Sequence, residues 1–214
     1  MVSTRATAAA QRRTNIADAV IELLASGGSR RVTHRAVDEL AGLPQGSTSA
    51  YLRTRAGLLT AAAQRIADLD RQTLETSLVA GFSDGMPRPP AELIANVVDA
   101  WTTPPVAARQ LARLELQLEA RRTPELAALF SELRSGFQRA VLAYLQATTA
   151  ESRMNADLHL VAGALTALID GLVYDRLLHP STAIPATRLQ EAQEAVQALM
   201  ATTNRSTPTT RQAT

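Results

Sequence analysis

The stretch THRAVDELAGLPQGSTSAYLRTR, residues 33–55, holds two short helical segments separated by Gly42-Leu43-Pro44-Gln45-Gly46. This break constrains the architecture most. Helices so short are marginal alone, and a connection so tight makes them cross and pack as a unit. Thr33 is suited to cap the first of the two, with Val32 placed to staple against Val37. Val37, Leu40 and Ala41 are its expected buried side, and Leu43 is expected to be buried in the turn. Pro44 suits a first-turn position, and Gly46 removes bulk near the start of the next helix, which runs to about Leu52. Upstream, Ile16, Val20, Leu23 and Leu24 fall on one stripe at i, i+4, i+7 and i+8, and that helix stops at Ser26-Gly27-Gly28. Three helices with a tight turn between the second and third make a helix-turn-helix. Its short third helix lies in a DNA major groove and its second holds it there; a generic helical hairpin is the competing reading.

The remaining chain reads as helices divided by proline and glycine. Thr54 caps a helix from Arg55 to about Val79, with Leu58, Leu59, Ala62, Ile66, Leu69 and Thr73 on its inner side. Residues 81–90 form a breaker-rich loop, and no segment alternates like a strand. Helices follow over about 90–101, from the Thr103-Pro104-Pro105 break to about 120, and from Thr123-Pro124-Glu125 to about 148. Two more are expected over 155–178 and about 186–202. The organisation expected is a flexible N-terminus (1–10), a helix-turn-helix DNA-binding domain (11–55, recognition motif 33–52), a helical regulatory and dimerisation domain (56–202) and a disordered tail (203–214).

Composition agrees with an all-α fold: hydrophobic residues make up 46% and aromatics only 3%, so the apolar mass is Ala, Leu and Val. There is no Cys, and His34, His159 and His179 lack metal-site spacing. No catalytic residue, metal site or cofactor is expected. No apolar run reaches the ~20 residues needed to span a bilayer, and the first residues lack a signal core. A cytoplasmic protein without a membrane partner is therefore expected. All 22 basic residues are Arg, which a GC-rich coding preference explains. Their placement is informative. Residues 1–55 hold eight Arg against four acids, a balance of +4, and the rest hold 14 Arg against 16 acids, a balance of −2. A basic head on a faintly acidic body suits a polyanionic partner at the head. A DNA-packaging protein would be basic throughout, so that reading is disfavoured.

The segment VTHRAVDELAGLPQGSTSAYLRTRAGLL, residues 32–59, resembles the helix-turn-helix of TetR-type transcriptional repressors. The resemblance rests on Val32, Arg35, Leu40-Ala41-Gly42, the turn Leu43-Pro44-Gln45-Gly46, Ser47, Tyr51, Arg55 and Leu58-Leu59, and it covers about residues 11–65. The sequence departs from the family where Pro44 replaces a Ser or Thr, where Ser49 and Ala50 replace two aromatics, and where Leu52 replaces Phe.

The resemblance implies an N-terminal three-helix head joined by a long helix to a C-terminal ligand-binding and dimerisation body. It implies a ligand-responsive repressor that binds a palindromic double-stranded DNA operator as a homodimer and answers to a small-molecule inducer. The alternative kept open is an all-α dimeric interaction module without sequence-specific DNA binding. By resemblance, Thr33 and His34 open the second helix against the backbone, and Arg35 enters the groove or pairs with phosphate. Gln45 reads a base, Gly46 allows close approach, Ser47 reaches a phosphate or a base, and Ser49 faces a base. Tyr51 and Arg55 hold phosphates. Candidate pocket residues are Trp101, Leu114, Leu118 and Phe130, together with Phe137, Tyr144, Leu165 and Ile169. Arg113, Glu115, Gln117 and Asp170 could add polarity. The dimer face is expected on Gly163, Ala164, Ala167 and Gly171 with Leu189, Val196 and Leu199.

Overall fold

The computed structural model describes residues 4–80, 82–83, 86–87, 90–148 and 157–185, with residues 188, 191, 192, 194, 195 and 198 beyond them. The expected last helix over about 186–202, with Leu189, Val196 and Leu199, and the tail at 203–214 lie largely or wholly outside those residues. The fold is all-α. Helices α1 (Thr4–Gly27), α2 (His34–Leu40) and α3 (Ser47–Tyr51) form the head, and α4 (Arg55–Ala80) leads out of it. The body continues with α5 (Pro90–Thr102), α6 (Val106–Ala120), α7 (Pro124–Thr148) and α8 (Leu158–Leu178).

Capping explains most boundaries. Thr33 Oγ1 accepts from the Ala36 amide at 3.2 Å and Thr54 Oγ1 from the Gly57 amide at 3.0 Å. The Asp157 side chain accepts from the amides of His159 and Leu160. Each hydroxyl or carboxylate satisfies first-turn donors that the helix itself leaves free. Helix α1 starts at Thr4 rather than near residue 11, because the Ala-rich run 8–10 continues the helical register upstream. The loop expected to lack strands contains one antiparallel pair, β1 (Phe82–Ser83) with β2 (Met86–Pro87). Two residues per strand are too few for alternation to be legible.

Two apolar cores lie along α4. The first joins Ile16, Val20 and Leu24 of α1, Val32, Val37 of α2, and Leu58, Leu59 and Ile66 of α4 to Ala112 and Leu116 of α6 and Leu126 of α7. The head is thus packed into the body, with Leu116 and Leu126 fully buried there. The second gathers Leu74, Leu93, Val97, Val98, Trp101, Tyr144, Ile169 and Val173. Leu40, expected inside, is 41% exposed. Asp38, two positions before it, takes the inward direction instead and is buried. Leu43 is only half-buried, at the edge of the first core. Helix α8 is long and apolar enough to cross a membrane by length and composition, with a mean hydropathy of 1.4, contrary to the sequence reading. Asp170, Asp175 and Arg176 interrupt its run, and one side of it packs on α5 and α7.

Candidate nucleic-acid interface and body cavity

The head is built around one buried carboxylate. Asp38 accepts from the Gly46 amide at 2.7 Å, from the Thr48 amide at 2.8 Å and from the Thr48 hydroxyl. Burial alone would raise its pKa; these bonds from Thr48 and Gly46, with His34 nearby, outweigh it and hold Asp38 below its ordinary value. The same bonds fix α3 against α2. Gly46 sits at φ 87°, a left-handed conformation that a side chain would strain. His34 Nε2 lies 2.7 Å from the Leu52 carbonyl, which can only accept, so Nε2 donates and ties the end of α3 to the start of α2. Sequence reasoning missed Asp38 and Thr48. Their signal was an inward position in each short helix occupied by a polar residue.

On this frame Arg35, Gln45 and Ser49 are exposed, and Ser47 is half-buried. Thr33 spends its hydroxyl on the cap. Tyr51 is half-buried against the first core, which leaves part of it at the surface. Arg55 is already engaged: its guanidinium donates to the Ser29 carbonyl at 2.6 Å and lies 3.7 Å from Glu119. Ser29 in turn donates from its hydroxyl to Glu119 at 2.7 Å and from its amide to Glu115 at 3.2 Å. The last turns of α6 are thereby hydrogen-bonded to the head. Glu115, expected near a pocket, serves this contact.

The body holds a cavity of about 560 Å3 between α4 and α7, floored by Trp101 of α5 and Arg113 of α6. Of the expected pocket residues Trp101 and Phe137 line it, as does Arg113. Phe137, Tyr144, Leu165 and Ile169 line a small apolar cavity of about 20 Å3 that shares Leu74, Leu78 and Phe137 with the larger one. Leu114, Leu118 and Phe130 line neither. Ala112, Arg113 and Leu116 take the inward side of α6, which turns Leu118 outward to 55% exposure and leaves Leu114 half-buried. Phe130 packs on the head-side core.

At the cavity floor Asp70 accepts from Arg109 Nε at 2.7 Å and from Gln110 at 2.8 Å, and Arg113 reaches Asp170 at 3.4 Å. Burial pushes the Asp70 carboxyl up, with Arg113 and Arg109 opposing. Tyr174, which donates to Gln117 at 2.7 Å, is pushed up to about 12 by burial. No sequence pattern marked Asp70, an acid on the inner stripe of a long helix.

On α8, Ala164, Ala167 and Gly171 are exposed and share one stripe with Leu160 and Leu168. Gly163 is half-buried instead: a Cβ there would meet Gln138 of α7 at 3.7 Å. Its place is inside the subunit, one position off the stripe.

A helix pair locked by Asp38 beneath exposed polar residues, in an all-α chain with a cavity in its body, fits a DNA-binding transcriptional regulator. Residues 87–202 match the model of the tetracyclin repressor-like C-terminal domain family, and the chain belongs to that family. Among solved structures it is similar to a TetR-family transcriptional regulator from Rhodococcus sp., with 25% identity, 87% of this chain and 98% of that chain covered, and a TM-score of 0.66. A transcriptional regulator from Streptomyces coelicolor A3(2) is 27% identical over 85% of this chain and 95% of its own, with a TM-score of 0.62. The multidrug binding protein EbrR, solved in complex with ethidium, is 25% identical over 86% of this chain and 96% of its own, with a TM-score of 0.60. No curated protein sequence matches the chain.

Proposed function

We propose that this regulator is a cytoplasmic, ligand-responsive repressor that binds a palindromic operator as a homodimer. The observation that carries the reading is the exposed row Arg35, Gln45 and Ser49 on a helix pair locked by Asp38 and Thr48. Gln45 presents an amide suited to adenine and Arg35 a fork suited to guanine. Thr33, His34, Gly46, Ser47, Tyr51 and Arg55 border the row and serve the backbone; His34 does so by holding α3 in place. One head reads only a few base pairs, so two are required, about 34–36 Å apart to enter successive major grooves. The exposed stripe of α8 supports pairing through that helix.

The cavity supports a small organic molecule as effector, the kind of ligand held by EbrR. A ligand acts only by preferring one of two conformations. Helices α4 and α6 line the cavity and also reach the head, so a shift of either moves the reading edge. A gel shift with the DNA upstream of its own gene tests the reading. A discrete complex in the nanomolar range, resistant to nonspecific competitor, is expected. Its absence would favour the interaction-module alternative. Gly171→Arg tests the pairing: a Cβ at Gly171 meets nothing within 4 Å, so the subunit should stay folded while light scattering reports monomers. Wild type already monomeric at micromolar concentration would refute the dimer.

A further inference from the structure

Helix α3 is only five residues long, and contacts on one side fix its rotation about its own axis. Thr48 is fully buried, with its amide and its hydroxyl both given to Asp38. Tyr51, one turn on, packs against the head-side core. His34 ties down the far end through the Leu52 carbonyl at 2.7 Å. At about 100° per residue, the two helical positions that point away from Thr48 and Tyr51 are Ser49 and Ala50. The exposures agree: Ser49 and Ala50 are exposed, and Ser47, at the side of the helix, is half-buried. Ser49 offers a hydroxyl. Ala50 offers a methyl group and nothing else, and it belongs to no apolar cluster among the described residues. Turning another face outward would break the bonds of Thr48 to Asp38.

A helix lying in a major groove brings its outward residues against base edges. Those edges display donors and acceptors, and one apolar group among them, the C5 methyl of thymine. A methyl side chain set against a donor or acceptor displaces its water and returns no hydrogen bond, which is unfavourable. Set against the thymine methyl, it removes two apolar surfaces from water together. No longer side chain of α3 or its cap overhangs Ala50. Gly46 has none, Ser47 and Ser49 are short, and Tyr51 is turned toward the core.

We infer that Ala50 is a specificity-determining residue, and that each operator half-site carries a thymine whose C5 methyl packs against it. The inference rests on the reading of α3 as the groove helix. It gives Ala50 the discrimination of thymine from the other bases at one position, apart from the amide and guanidinium contacts of Gln45 and Arg35. The contact is made to the methyl and not to the polar edge of the base.

Two steps test it on the full-length protein. Selection from a pool of random duplexes gives the preferred site, and deoxyuridine then replaces each thymine of that site in turn, in both half-sites together. Deoxyuridine keeps the base pair and its O4 and loses only the C5 methyl. At one position the replacement should weaken wild-type binding about three- to fivefold per half-site, the scale of one buried methyl group. Ala50→Gly removes the protein's methyl. It should bind the thymine site more weakly by a similar factor and should bind thymine and deoxyuridine at that position equally. Ala50→Ser, a better helix former than glycine, takes its place if Ala50→Gly does not fold by circular dichroism, and its hydroxyl should likewise abolish the preference for the methyl. A site in which no thymine responds to loss of its methyl, or a response that persists in the variants, overturns the role of Ala50 and leaves sequence-specific binding in place. A pool that converges on no sequence overturns the reading of α3 as a groove helix itself.

Discussion

Two buried aspartates tell the two halves of the molecule apart. Asp38 in the head and Asp70 in the body are each 3% exposed, and each sits where a helix would ordinarily place an apolar side chain. Asp38 is served by three donors from the segment it holds, and its pKa is lowered. Asp70 has Arg109 and Gln110 on one oxygen and only a longer ion pair, with Arg113 at 4.0 Å, on the other, beside a cavity, and its pKa is raised. A fully satisfied network fixes one geometry, and a partly satisfied one in a low-dielectric interior holds its group less firmly. The carboxylate of the head is thus part of a closed frame, and that of the body sits beside an open cavity.

The contrast would break most visibly if the head could be removed intact. Residues 1–80 include all head helices but lack Ala112, Leu116 and Leu126, which are fully buried in the head-side core. Losing a buried Leu side chain alone costs about 2–5 kcal/mol, and a domain has only about 5–15 kcal/mol in total. The fragment should therefore show no cooperative thermal transition by circular dichroism. A sharp melt with native helicity would mean that the head is an independent unit.

Next in size is Asp38→Ala, which leaves two amides and the Thr48 hydroxyl without their acceptor and should cost about 3 kcal/mol. The charge can be isolated with Asp38→Asn. A folded pKa below the unfolded value near 3.9 contributes stability that is present above that value and is lost as pH falls through the folded one. The Tm gap between wild type and Asp38→Asn should hold from neutral pH to about pH 5 and shrink below pH 4. A gap that does not change with pH would show that the charge is irrelevant and only the shape matters.

What the sequence made legible follows the same division. Helix ends were readable because their causes are local: Thr33, Thr54 and Thr123-Pro124 act within three or four residues. The tight turn betrayed the helix-turn-helix for the same reason. Asp38 to Thr48 spans ten residues and a change of direction, and Asp70 to Arg109 spans thirty-nine. No periodicity encodes such partners. Apolar stripes also fail to distinguish core from cavity wall. Trp101 and Phe137 line the cavity, Phe130 packs on the other core, and Leu118 is on the surface, although all four are large apolar residues on helices. The exposure of Leu40 has the same origin: its face was decided by Asp38, whose partner lay beyond the turn.

The reading edge should be separable from the frame below it. Gln45 is exposed and takes no part in the Asp38 network. Gln45→Ala should leave the Tm unchanged and cost about 1–3 kcal/mol on the operator, with nonspecific binding nearly intact. Equal losses on operator and random duplex would move base recognition to another residue, with Arg35 first in line.

The smallest effect expected lies where the two halves touch. Arg55 was expected to hold a phosphate, yet Glu119 and the Ser29 carbonyl hold it in the free protein. A phosphate must compete with Glu119 for the same guanidinium. The pair is part-exposed, 45% for Arg55 and 20% for Glu119, and 3.7 Å apart, so it contributes no more than about 0–1 kcal/mol to stability. Glu119→Gln removes the competing charge and retains an amide oxygen for the Ser29 hydroxyl. It should change the Tm little and strengthen binding to every duplex by about two- to threefold, with the salt slope steeper by up to about one phosphate contact. Arg55→Ala should do the reverse and make Glu119→Gln silent when the two are combined. Because α6 runs from Arg113 at the cavity floor to Glu119 at the head, the coupling of effector to DNA should also fall in Glu119→Gln. If the variant keeps wild-type affinity, salt slope and coupling, Arg55 is a structural tie between the halves and α4 alone carries the signal.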